Sequence, residues 1–144
     1  MSTHQLTIVS QAVLDKILTN QYTLGLEDVF WGDQNLIPKF PAVCVEPGEL
    51  TRTIDGTRRA QNDFEVFLMV YVSKIGDVQV TSKKVLEVAE AISDVLESDV
   101  QMNNTVIWGH VSNVTPGIVQ KGNTLLRAAR LRWVAMTRNT IGVN

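Results

Sequence analysis

Cysteine is almost missing from this chain of 144 residues: Cys44 stands alone, so no disulfide can form within it. Histidine is represented by His4 and His110 only, and they do not form a pair at metal-ligand spacing. No Cys-x-x-Cys, no glycine-rich phosphate loop ahead of a helix and no nucleophile elbow occurs. These absences remove the usual signatures of redox, nucleotide and acyl-transfer chemistry. The expectation is a protein without enzymatic activity, cofactor or bound metal. A basic excess is missing too, since 13 Lys and Arg face 15 Asp and Glu for a net charge of −2, which argues against a dedicated nucleic-acid binder. The longest apolar run, Phe64 to Val72, is broken by Glu65 and falls well short of the ~20 residues that cross a bilayer as a helix. A soluble chain with no membrane partner is expected. The opening Met1-Ser-Thr-His-Gln-Leu has no positive stretch leading into an apolar one, which argues against a signal peptide and for an intracellular, reducing compartment. On that reading the sequons at Asn103 and Asn113 are chance matches.

What is present fits a single domain over residues 1–144, because a chain of this size buries roughly 68–70% of its unfolded surface and needs no staple. Leu6, Val9, Val13 and Ile17 recur at three- and four-residue spacing and predict a helix over Gln5 to Leu18, capped by Ser2 or Thr3. From Thr19 to Lys39 the periodicity is lost, and Gly25, Gly32 and Pro38 punctuate an irregular segment rich in apolar residues. Phe40 to Glu46 reads as a short strand ended by Pro47-Gly48, and Glu49 to Ile54 as a second short piece before a turn at Asp55-Gly56.

Asp63 to Ser73 is the strongest strand. Phe64, Val66, Leu68, Val70 and Val72 share one face, while Phe67, Met69 and Tyr71 share the other, so both faces call for cover, one by helices and one by a further layer or a neighbouring subunit. Asp77 to Glu97 carries Val85, Val88, Ala89, Ile92, Val95 and Leu96 on one helical stripe, with Asp77 near the positive helix end. A weaker strand follows from Asn104 to Val114, Pro116-Gly117 turns or bulges it, and Lys121-Gly122-Asn123 signals a hairpin into Leu125 to Thr137. There Ala129, Leu131, Trp133 and Ala135 share a face opposite Arg130 and Arg132. His110, beside Trp108, reads as a structural or exposed histidine because no nucleophile pairs with it. Cys44, between Val43 and Val45, reads as a small buried hydrophobe.

Charge is placed unevenly. All 15 acids lie at or before Asp99, and with eight basic residues there the first 99 residues carry −7, whereas Lys121, Arg127, Arg130, Arg132 and Arg138 leave the remainder at +5. Three uses of this segregation stay open: solvation with internal ion pairs, head-to-tail association of acidic and basic patches, and a basic surface facing a nucleic-acid backbone.

The order of these elements resembles the tail terminator, or tail completion, proteins of long-tailed bacteriophages. The resemblance runs over nearly the whole chain: the N-terminal helix, Phe40 to Pro47, the hydrophobic strand Phe64 to Val72, one long helix, and a closing hairpin ending in Leu126 to Trp133. It implies an α+β subunit, a mainly antiparallel sheet with two principal helices packed on it, that joins a hexameric ring. Such a ring caps the tail tube protein, stops its polymerisation and presents a surface to the head–tail connector protein, while DNA passes through the lumen without sequence-specific binding. The expected location is the tail or neck of a virion assembled in the host cytoplasm. Phe67, Met69, Tyr71, Arg130 and Arg132 are then candidates for a subunit interface or for the lumen. Another neck or connector component and a non-viral binding module are the alternatives.

Overall fold

The computed structural model of the protein describes residues 5–54, 58–75 and 82–140. The turn expected at Asp55-Gly56, the helix start at Asp77 and the cap at Ser2 or Thr3 lie outside them. Two amphipathic helices and a central strand set the architecture. In α1 (Gln5–Thr19) the buried residues Val9, Val13 and Ile17 are four apart and draw one stripe. In α3 (Ser82–Glu97) the stripe is Val85, Val88, Ala89, Ile92 and Leu96. Both stripes enter one core with Phe64, Val66, Leu68, Val70 and Val72 of β3 (Arg59–Lys74) and with Ala129, Leu131, Trp133 and Ala135 of β5 (Thr124–Thr140). The parity expected for both strands is thus observed, and both helices cover the same face.

The sheet has five strands in the order β1 (Asp28–Trp31), β2 (Ala42–Ile54), β3, β5 and β4 (Trp108–Lys121), and every pair but β1 with β2 is antiparallel. This is the expected α+β class. β2 (Ala42–Ile54) is one strand of 13 residues where two short pieces were expected. Pro47-Gly48 does not end it but sits in a register shift between Pro47 and Leu50, since a bulge absorbs an extra residue without ending the pairing. Gly48 is required there by space: a Cβ would stand 2.8 Å from the Glu65 carbonyl oxygen.

The irregular segment after α1 contains one helical turn, α2 (Gln21–Leu24), and a four-residue strand, β1 (Asp28–Trp31), paired in parallel with the start of β2. β4 (Trp108–Lys121) begins later than expected and runs through Pro116-Gly117. It is an edge strand paired only with β5, a position where a missing amide is tolerated. The two-residue hairpin turn follows, with Gly122 at φ +61°, the positive angle that a tight turn of this kind demands.

Between α3 and β4, Met102, Asn103 and Asn104 all have positive φ, an arrangement that asparagine tolerates better than most residues. The Asp99 carboxylate holds this turn by accepting the Asn103 amide at 2.8 Å and pairing with Lys16 of α1 at 3.3 Å. That amide, with lesser help from Lys16, lowers the Asp99 pKa below its ordinary 3.8. Glu97 closes the same end of the helix, accepting the Val111 amide at 2.7 Å beside the register shift in β4.

Candidate functional site

The face of the sheet turned away from the helices divides into two halves. One half is covered from within the chain. Ile37, from the segment between β1 and β2, packs with Ala42 and Cys44 of β2, Tyr71 of β3, and Leu126 and Ala128 of β5, forming a second apolar cluster. Asp33 fastens this cover: the Tyr71 hydroxyl donates to its carboxylate at 2.6 Å, and Lys121 at the end of β4 bonds its other oxygen at 2.7 Å. Lys121 also stands 5.3 Å from the Tyr71 ring centroid.

The chemistry of this clasp follows from its burial. Burial pushes the Asp33 carboxyl up, but the hydrogen bonds from Lys121 and Tyr71 outweigh it, and the pKa lies below the ordinary 3.8. Burial, then the bond to Asp33, drives the Tyr71 hydroxyl far above its ordinary range. Burial likewise pushes the Cys44 thiol up to about 11, so it is a packed hydrophobe and not a thiolate nucleophile, as the sequence suggested.

No segment among the described residues covers the other half. Phe67 and Met69 of β3 lie half-buried beside Arg132 and Arg130 of β5, their direct cross-strand partners. Arg130 is exposed, and its guanidinium stacks on the Phe67 ring at 4.7 Å, a cation–π contact that fixes the side chain against the sheet. Arg132 donates to Glu65 at 2.6 Å and to the Ser112 hydroxyl at 3.0 Å. Trp108 and His110 continue the surface along β4, their rings 5.3 Å apart. A depression of about 300 Å³ opens on this half, with Asp63, Glu65, Trp108 and Arg132 among its walls.

Of the five residues singled out from the sequence, the structure brings Phe67, Met69, Arg130 and Arg132 together on this surface. Tyr71 shares their face but is fully buried under the 32–41 cover, because Asp33 and Ile37 reach it first; it offers a neighbour no surface. Asp33, Lys121 and Glu65 were not singled out. Glu65 was legible by parity, being two residues from Phe67 and therefore on its face. Asp33 carried no signal, since 88 residues separate it from Lys121.

The uneven charge resolves in part into ion pairs within the chain, with Lys121 on Asp33 and Arg132 on Glu65. Arg130 forms no ion pair among the described residues. Also among the described residues, no cluster of His, Cys, Asp or Glu could hold a metal ion, and no helix is long and apolar enough to cross a membrane. His110 is exposed on its strand, with Trp108 as its ring neighbour.

At the level of sequence, no family model and no curated relative matches the chain. Among solved structures it is similar to a chain in the virion of the native gene transfer agent particle, with a TM-score of 0.66 and 15% identity, over 90% of this chain and 94% of that one. What the two chains share, on that likeness, is the fold: a helix-covered, mainly antiparallel sheet extending over nearly the full length of both.

Proposed function

We propose that this chain is a structural subunit of a phage-type virion and, within it, a tail terminator. The observation that carries the reading is the shared fold with a virion chain over nearly the whole length of both. The bare half of the sheet supports it, because an apolar and basic surface beside a well-formed core is what a subunit of a larger assembly presents. The element order supports the finer assignment through its resemblance to the tail terminators.

On this reading residues 1–144 form one domain, and copies of it associate into a ring, hexameric as in the family it resembles, at the end of the tail tube. The work is mechanical. Adding the ring buries the surface to which the next tube ring would bind and replaces it with one that fits the head–tail connector protein, so growth stops and the head can join. DNA passes through the lumen on backbone charge alone, without base contacts. No reacting group is required of the protein, and Phe67, Met69, Arg130 and Arg132 contribute contact surface.

A tube-elongation assay tests this. Purified tail tube protein is polymerised with and without the chain, and tube lengths are measured by electron microscopy. Short tubes carrying a ring at one end are expected. Tubes of unchanged length that nevertheless bind the chain would favour a different neck component, and tubes that ignore it would refute the assignment.

A further inference from the structure

The bare face has a complement elsewhere on the same chain. The exposed side of α3 carries Glu87, Glu90 and Asp94, three and four residues apart and therefore on one stripe. None of them forms an ion pair among the described residues. The first turn of the helix is basic, with Lys83 and Lys84, so the acidic stretch is confined to the later turns.

We propose that the Arg130–Phe67–Met69 face of one copy seats the Glu87–Glu90–Asp94 ridge of the next. The proposal rests on the ring reading and names the surfaces that close it. Arg130 and Arg132, two apart on a strand, stand roughly 7 Å from one another. Glu90 and Asp94, one helical turn apart, stand about 6 Å from one another. The two spacings match closely enough for each guanidinium to meet a carboxylate. Arg130 carries more of the contact than Arg132, which already has Glu65. Stacking on Phe67 holds Arg130 in place beforehand, so less side-chain freedom is lost when a carboxylate arrives.

The direction of assembly follows from the layering. The ridge lies outside the helix layer, and the arginines lie on the opposite side of the sheet. A two-fold contact would set each patch against its own copy, basic on basic or acidic on acidic. Only a head-to-tail contact brings these opposite signs on opposite sides together, and such a contact closes a ring where its rotation permits.

The test is a charge exchange read by sedimentation. Arg130→Glu disables the sheet face, and the pair Glu90→Lys with Asp94→Lys disables the ridge. All three positions are exposed, so each variant is expected to unfold thermally like the wild type. Each variant alone should associate at least roughly tenfold more weakly, since like charges then meet at the contact. Wild-type association should itself weaken between about 50 and 500 mM salt. Mixing the two variants should restore assembly, because a wild-type contact then alternates with one of reversed polarity. Either variant assembling as the wild type does, or a mixture that stays dissociated, overturns the pairing and leaves the ring standing. Intact oligomers that lose only their grip on tail tubes assign the face to the tube protein and overturn it as well. A wild type that remains monomeric at every concentration, with tubes present, removes both the pairing and the ring.

Discussion

Gly109 and Gly117 lie on the same edge strand, and adding one methyl group to each should have opposite consequences. At Gly109 a new Cβ would overlap Cζ2 of the Trp133 ring and stand 2.8 Å from its Cε2. Trp133 is fully buried, with Val66 and Val111 as its strand neighbours on either side. A ring so fully buried in a close-packed core has little freedom to swing aside. Overpacking of this kind costs about 1–3 kcal/mol, and the upper part of that range applies where ring and backbone are both fixed. At roughly 2–4 °C per kcal/mol for a chain of this size, Gly109→Ala should lower Tm by roughly 5–10 °C. At Gly117 a Cβ meets nothing within 4 Å, and the residue is not among those with positive φ. Gly117→Ala should therefore leave Tm unchanged or raise it, by stiffening the unfolded chain by about 0.4–1 kcal/mol. Thermal unfolding followed by circular dichroism measures both. Adding Trp133→Phe to Gly109→Ala should cost less than the two changes summed, because the smaller ring makes room. Equal shifts for the two glycines, or strict additivity in the double variant, would refute the packing of Trp133 on Gly109 and with it the register of β4.

Ile92→Asp places a carboxylate at a fully buried position of the core between α3 and the sheet; a loss above about 4 kcal/mol is expected, and unfolding at the wild-type temperature would show that this face of α3 does not meet the sheet. Asp33→Ala removes the clasp on the 32–41 segment, and a loss of about 1 kcal/mol of local closure, discounted for the partial exposure of the carboxylate, should speed maleimide labelling of Cys44 roughly fivefold; an unchanged rate would show that something else holds the segment down. The clasp also sets a pH dependence: because the folded Asp33 pKa lies below its ordinary 3.8, the contribution is complete at neutral pH and disappears as pH falls through about 4 and below. Urea midpoints of wild type and Asp33→Ala should therefore differ at pH 7 and draw together as pH falls below the ordinary carboxylate range.

Wherever one periodicity held for several turns or residues, the sequence was legible. α1, α3, β3 and β5 each repeat their apolar residues often enough to fix both the element and its buried face. Punctuation was the weaker guide. Pro47-Gly48 reads as a break and Pro116-Gly117 as a turn or bulge, but a bulge absorbs the first and an edge strand runs on through the second, and both outcomes depend on which strands lie alongside. β1, with only four residues, is too short to show an alternation. At the candidate site, parity alone placed Arg130 and Arg132 opposite the core, and the pairing of β3 with β5 is what sets them beside Phe67 and Met69. Parity could not distinguish Tyr71 from those two, because the cover over Tyr71 comes from Asp33 and Ile37, and nothing in the irregular stretch between Thr19 and Lys39 reveals where it folds back.

The ring is the central claim, and imaging the purified protein beside its tail tubes tests it most directly. Two-dimensional class averages should show closed rings whose rotational symmetry equals that of the tube, both free and seated at tube ends, since only a matching ring can bury every site to which a further tube ring would attach. Monomers or open chains in solution, together with bare tube ends in the presence of excess protein, would contradict the account.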